Sequence, residues 1–176
     1  MAATISTRSS SFGEGGLAVS SSDEALRPSL SNKIDGIQDK INAVVLLNKE
    51  DGVITVCDDR SVRVWLKRDS GQYWPSIFHS VASVPLSAAF CEQTRRLFVG
   101  LSTGLVNEFA IADDYNSLTH RKDFHAHSNG VTTLVYSVHC EWLLTTGRDK
   151  QFVWTCSETA RKLGECRKYL APAINR

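Results

Sequence analysis

The sequence predicts an all-β fold, a partial β-propeller of about three four-stranded blades behind a disordered N-terminal tail. Two observations predict it. From Lys33 onward, short runs rich in Val, Ile, Leu, Phe, Tyr, Trp and Thr recur every ~8–12 residues, and polar turn sequences separate them. In addition, a turn followed by a strand that ends in an aromatic residue returns three times along the chain.

The composition narrows the class of protein. The 176 residues are 42% hydrophobic, which is enough for one folded domain and a tail. Twenty basic and nineteen acidic residues give a net charge of +1, so no nucleic-acid partner is expected. The five cysteines are odd in number and form no C-x-x-C pair, and residues 1–11 have no apolar signal-peptide segment, so reduced thiols and a cytoplasmic location are expected.

The chain divides into three parts. Residues 1–31 contain nine serines and three glycines without strand or helix periodicity, and they are predicted to be a disordered tail. Residues 32–166 are predicted to form the three blades, with approximate bounds 32–78, 79–122 and 123–166. Residues 167–176 are predicted to be a divergent, truncated C-terminus.

Nine strands are predicted within the blades. They are Ile41–Leu47, Gly52–Cys57, Ser61–Leu66, Tyr73–Phe78, Arg96–Gly100, Leu105–Ile111, Val131–Ser137, Trp142–Thr146 and Gln151–Cys156. Polar turn sequences such as Asp69-Ser70-Gly71 separate them, and no run of ten or more residues has the pattern and caps of a helix.

The repeat itself is the strongest signal. Three segments superimpose, and their terminal aromatic residues lie 44 and 45 residues apart. The segments are Asp59–Trp65, Thr103–Phe109 and Asp149–Trp154. A turn, an Asp, a basic residue and a strand ending in Trp at this period are typical of WD repeats, in which each period forms one blade.

In a WD blade, an Asp of the turn, a His before the first strand, a Ser or Thr on the second strand and the Trp indole form a hydrogen-bonded chain. Such half-buried groups are costly when unpaired, so the chain fixes both turn and register. The third repeat has the best set, although its Asp-to-Trp spacing is one residue short, and the first has Ile37 where His is expected. The predicted structural residues are Asp59, Trp65, Phe109, His127, Thr145 or Thr146, Asp149 and Trp154.

The stretch Val62–Ser76 (VRVWLKRDSGQYWPS) is more specific than a general WD repeat. It closely resembles the first repeat of the WD repeat and FYVE domain-containing proteins, and further matches extend over roughly residues 33–164. The resemblance implies a propeller that binds proteins, including protein kinases and vesicle cargo, and a FYVE finger that recruits the full-length proteins to early endosomes. This sequence has neither the R-R/K-H-H-C-R-x-C-G core nor paired C-x-x-C ligands, so zinc, lipid binding and direct membrane binding are not expected of it.

An open array of three blades exposes two apolar faces. The sequence therefore indicates a shortened isoform or incomplete gene model that self-associates through open blade edges or depends on a partner. The predicted function is a non-catalytic scaffold. Its candidate protein-binding surface contains Lys67, Arg68, Tyr73 and Trp74, although burial of the aromatic pair between blades is an equal alternative.

An enzyme is the second hypothesis. His127, Asp149 and Ser128 supply the residue types of a hydrolase triad, but the sequence contains no G-x-S-x-G elbow. His125 and His127 lack a third ligand at metal-binding spacing, and no Gly-rich phosphate loop is present. No metal and no cofactor are therefore predicted.

Overall fold

The computed structural model describes Leu30 and residues 33–167, and every regular element in this part of the chain is a β-strand. Backbone contacts divide the chain into two units, Met1–Ser31 and Asn32–Arg176, and all the described strands belong to the second. Apart from Leu30 and Arg167, the predicted tail and the predicted divergent C-terminus lie outside the described residues.

The strands form three antiparallel sheets of four, and each sheet runs in chain order from one edge to the other. We call these sheets blades one, two and three. Blade one contains β1 (Ile41–Leu47), β2 (Gly52–Cys57), β3 (Ser61–Lys67) and β4 (Tyr73–Ser80). Blade two contains β5 (Pro85–Cys91), β6 (Arg96–Leu101), β7 (Leu105–Ile111) and β8 (Leu118–His125). Blade three contains β9 (Val131–Ser137), β10 (Trp142–Gly147), β11 (Phe152–Cys156) and β12 (Lys162–Cys166).

Eight of the nine predicted strands match the structure to within one residue at each end, and the larger differences lie at the outer strands. β4 continues to Ser80 and β8 to His125, beyond the predicted blade limits at 78 and 122. Three strands, β5, β8 and β12, have no counterpart among the nine predicted runs. The number of strands per blade nevertheless equals the predicted four.

The turn between the second and third strands is the same in every blade. One residue of each turn has a positive φ: 63° at Arg60, 94° at Gly104 and 61° at Lys150. The N–H of that residue donates to the carbonyl three residues earlier, at 3.1 Å in each case; the acceptors are Cys57, Leu101 and Gly147. These turns define which residues correspond between blades.

Two apolar clusters hold the blades together. The cluster between blades one and two contains Ile54, Val64, Leu97, Phe109 and other residues of both sheets. The cluster between blades two and three contains Phe98, Phe124, Val131, Leu134 and Leu143. Because successive strand residues face opposite sides, blade two buries one apolar face against each neighbour.

Backbone hydrogen bonds also fix the segments that connect the blades at equivalent points. The N–H of Val81 donates to the carbonyl of Arg60 at 2.8 Å, and the N–H of His127 donates to the carbonyl of Gly104 at 3.1 Å. The segments after β4 and β8 are thereby each fixed to a turn of the blade that they follow. This contact positions His127 at the start of blade three.

Candidate functional site

The imidazole of His127 is fully enclosed, with 0% of the side chain exposed. Its Nδ1 lies 3.0 Å from Oδ1 of Asp149, and its Nε2 lies 2.9 Å from Oγ1 of Thr145. A carboxylate only accepts hydrogen bonds, so Nδ1 donates to Asp149. Nε2 and the Thr145 hydroxyl form the second contact, and the same hydroxyl oxygen lies 3.3 Å from the carbonyl of Val153. Both ring nitrogens therefore have partners inside the protein.

Asp149 also holds the turn that it belongs to. Its carboxylate accepts from the backbone N–H groups of Ser128 at 3.1 Å and Gln151 at 3.2 Å. The ring of His127 approaches closely because position 147 is glycine: a Cβ there would lie 2.7 Å from Nδ1 of His127. The local sequence thus leaves just enough room for the imidazole.

The second-strand residue in this network is Thr145. Thr146, the other candidate, faces the opposite side of the sheet, since side chains alternate along a strand. Its hydroxyl lies 3.0 Å from that of Thr132. The structure therefore brings together His127, Thr145 and Asp149, and it leaves Thr146 in a separate contact.

The prediction that Trp154 is equivalent to Trp65 and Phe109 is wrong. Trp65 pairs with Val53 and Phe109 with Leu97, whereas the corresponding position of blade three pairs Leu143 with Thr155. Trp154 pairs with Leu144. The distance from Asp149 to Trp154 is one residue short, and a shift of one residue moves a strand side chain to the other face. The blade remains intact because its turns still correspond.

Blade one keeps the other half of the predicted network. The indole Nε1–H of Trp65 donates to Oγ1 of Thr55 at 3.0 Å, in a buried position. Asp59 has no His partner; its carboxylate accepts from Ser61 and from the Arg63 guanidinium at 2.5 Å. Burial raises the pKa of the Asp59 carboxyl, but these hydrogen bonds outweigh burial and hold the pKa below its usual range.

Blade two replaces the network with aromatic packing. The ring of Phe109 meets the imidazoles of His79 and His120 edge-on, at centroid distances of 5.1 and 5.6 Å. Such edge contacts are favourable for aromatic rings. The predicted structural residues thus divide among the blades: an Asp–His–Thr chain in blade three, a Thr–Trp pair in blade one and a buried Phe in blade two.

The predicted protein-binding residues lie at the end of blade one where β3 passes into β4. Trp74 is 56% exposed, and the guanidinium of Arg68 lies 4.8 Å from its ring centroid. Tyr73 is half-buried and pairs with Lys67. We use the name Trp74 surface for Lys67, Arg68, Trp74 and Pro75, which border a concavity of about 370 Å³.

A charged cluster between blades two and three was not predicted. Arg96 of β6 donates to Glu108 at 2.8 Å within blade two, and to the carbonyl of Ser157 at 3.0 Å in blade three. Lys122 donates to the same carbonyl at 2.9 Å. Glu108 is only 4% exposed. The signal in the sequence is a Glu next to Phe109 inside the predicted strand Leu105–Ile111, a position where a buried charge needs a partner.

Comparisons with known proteins assign this arrangement to a fold. The family model described as "WD domain, G-beta repeat" matches residues 118–153. The crystal structure of the RRP9 WD40 repeats is similar, with a TM-score of 0.65 at 17% identity over 77% of this chain and 41% of that one. The WD40 β-propeller domain of Doa1 is similar as well, with a TM-score of 0.67 at 16% identity over 82% of this chain and 45% of that one. The fold is a partial WD-repeat β-propeller.

Curated relatives agree with the resemblance of the sequence. WD repeat and FYVE domain-containing protein 2 of Mus musculus is 48% identical over 138 residues, which are 78% of this chain and 34% of the relative. WD repeat and FYVE domain-containing protein 1 of Bos taurus is 46% identical over 146 residues, which are 83% of this chain and 36% of the relative. WD repeat and FYVE domain-containing protein 2 of Caenorhabditis elegans is 44% identical over 138 residues, which are 78% of this chain and 33% of the relative. The resemblance to this family is confirmed, and the chain spans about a third of the length of these relatives.

Two further features of the described residues bear on function. Within residues 33–167, no group of three or more His, Cys, Asp or Glu side chains is placed to hold a metal ion. The same part of the chain has no helix with the length and apolar character needed to cross a membrane.

Proposed function

We propose that this partial propeller is a non-catalytic scaffold that binds other proteins. The observation that carries the proposal is the closed chain of hydrogen bonds from Asp149 through His127 to Thr145. These are the residues from which an active site would otherwise be built. Their bonds are directed at one another and at the turn, so they act as internal braces. Repeated blades offer extended surfaces for partner proteins, which suits a scaffold.

A hydrolase needs an imidazole nitrogen within reach of a nucleophile and a substrate. The ring of His127 is enclosed on every side. The hydroxyl of Ser128 lies 3.5 Å from Oδ2 of Asp149, where it supports the turn together with its own backbone N–H. This arrangement favours the scaffold over an enzyme that uses His127 and Asp149.

The likeness to WD repeat and FYVE domain-containing proteins supplies the finer part of the proposal. We propose protein kinases and vesicle cargo as partner classes, and the cytoplasmic side of early endosomes as the place of action. The FYVE finger that the relatives' names describe would supply the membrane contact. The described blades would supply only protein contacts.

Replacement of His127 by Ala separates the two functions. We expect His127→Ala to lower the free energy of unfolding by about 2 kcal/mol, because Asp149 and Thr145 lose a buried partner. The exposed His139 provides the control, and His139→Ala should leave thermal unfolding unchanged. Turnover of ester, peptide or phosphoester substrates that disappears in His127→Ala, with the unfolding midpoint unaltered, would contradict the scaffold.

A further inference from the structure

We propose that the Trp74 surface binds an acidic, extended peptide segment of a partner protein. The inference rests on the proposed scaffold function and specifies the chemistry of one of its partners. Binding of such a segment requires an exposed apolar anchor, positive charge that is not already paired, and a concave surface. The Trp74 surface has all three.

Trp74 supplies the anchor. More than half of this large aromatic side chain is exposed, although it borders a concavity of about 370 Å³. Tryptophan is over-represented among the residues that contribute most to binding free energy in protein interfaces. Such residues lie in pockets that become filled when the partner binds. Pro75 is exposed beside it and Asn116 of blade two lies across the concavity, so both apolar and amide groups face an incoming chain.

Lys67 and Arg68 supply the charge. None of the described residues that line the concavity is acidic. Arg68 forms no ion pair within residues 33–167, and its guanidinium is held against the Trp74 ring. Lys67 lies 3.7 Å from the exposed carboxylate of Asp51, a long contact in solvent that leaves its charge available. Carboxylates of a partner would therefore complement this surface, and the ring would stack with an apolar side chain between them.

The peptide is expected to bind through its side chains more than through strand addition. β4 is the outer edge of its sheet, a position at which an extra strand could pair. However, Pro75 lacks a backbone N–H, and proline in an edge strand disfavours the addition of another strand. Recognition consequently depends on Trp74 and the two cations.

A membrane surface fits this site less well. Electrostatic binding to anionic lipids takes clusters of roughly four to eight basic residues, and the Trp74 surface has two. Its concave shape also suits an inserted side chain better than a flat layer of headgroups. The observations thus favour a peptide, and lipid binding is an outcome that the experiment can detect.

The test uses the full chain and a fluorescein-labelled peptide of Glu and Phe residues separated by Ser, with a counterpart in which Lys replaces Glu. Anisotropy titrations at low salt should show binding of the acidic peptide and little binding of the basic one. Trp74→Ala should weaken binding about tenfold, and Arg68→Glu should weaken it at least as much. Binding should decline as salt rises, because exposed charges are screened.

Trp142→Ala removes another exposed Trp, and Arg148→Ala another exposed Arg, and both should bind the acidic peptide like the unaltered chain. Equal binding by Trp74→Ala and the unaltered chain would overturn the proposal. So would equal binding of the two peptides, or binding to phosphatidylserine vesicles without binding to the acidic peptide. Such failures would leave the scaffold function standing, because that proposal is decided by turnover and unfolding of His127→Ala.

Discussion

At the scale of single residues, Asp59 and Asp149 occupy the same turn position and use their carboxylates differently. Asp149 braces a buried imidazole, whereas Asp59 accepts hydrogen bonds from Ser61 and Arg63. The pKa of Asp59 is therefore held below its usual range, despite burial that acts in the opposite direction. A carboxyl with a lowered pKa stabilises the folded state while it is ionised.

We expect Asp59→Asn to lower the free energy of unfolding by about 1–2 kcal/mol at neutral pH, the range for charge-assisted hydrogen bonds. The contribution of Asp59 is fully present above the pKa of the unfolded chain, about 3.9, and is lost as the pH falls through the lower folded-state pKa. The difference between the two proteins should accordingly shrink below about pH 4. Urea unfolding across that range measures it.

Asp51→Asn is the matched control, because the exposed carboxylate of Asp51 makes only a long contact, with Lys67, among the described residues. It should change stability by no more than a few tenths of a kcal/mol at any of these pH values. A gap between Asp59→Asn and the unaltered chain that stays constant from neutral pH to pH 3 would disprove the role of the ionised carboxylate.

At the scale of the strands, the sequence predicts the blades but not all of their edges. The turns beside Asp59, Gly104 and Asp149 are explicit in the sequence, so the repeat locates the second and third strands of every blade. β8 was missed because its outer position leaves it polar and exposed, and the short β12 has the same character. β5 begins with proline and carries small residues, which have weak strand preference.

The aromatic positions show the limit of pattern matching. Trp154 has the residue type that the WD pattern expects at the end of the third strand. Thr155, however, has the cross-strand register that corresponds to Trp65 and Phe109. Cross-strand pairing decides which residue takes the position, and the short spacing from Asp149 to Trp154 was the feature of the sequence that indicated the shift. The partners of His127 were easier to predict, because Thr145 and Asp149 were tied to it by the known logic of the repeat; the choice between Thr145 and Thr146 needed coordinates.

The link between blades two and three depends on Arg96. Its guanidinium joins Glu108 to the Ser157 carbonyl, and the side chain packs over the rings of Phe98 and Tyr136. Arg96→Ala should lower the free energy of unfolding by about 3 kcal/mol, since it leaves the buried Glu108 carboxylate without its main partner. Chemical denaturation measures the loss.

The double change Arg96→Met with Glu108→Leu removes both charges and keeps the side-chain volume. It should recover much of that stability, because a buried ion pair is often no better than apolar packing. Lys162→Ala, which removes the pair with Glu165 at a more exposed site, should cost less than 1 kcal/mol. If the double variant is as unstable as Arg96→Ala, the buried carboxylate is not the cause of the loss.

At the scale of the whole array, residues 33–167 cover both faces of blade two, and they cover one face each of blades one and three. Register aligns Val44, Thr55, Arg63 and Phe78 on the face of blade one that points away from blade two. Phe78 is 63% exposed there, and Val44 and Leu46 are exposed as well. The outward face of blade three aligns the exposed Val135 with Leu144 and Trp154. These apolar groups are the kind that propeller blades normally bury against neighbours.

This 176-residue chain is therefore expected to self-associate in a concentration-dependent manner, with apolar burial as the driving force. Phe78→Asp combined with Leu46→Thr should shift sedimentation velocity profiles toward the monomer by weakening contact through blade one. Trp74→Ser removes a side chain of similar exposure from the other side of β4 and should leave association unchanged. A monodisperse monomer with cooperative unfolding, observed for the unaltered chain at high concentration, would mean that the two outward faces are stable in water without a partner.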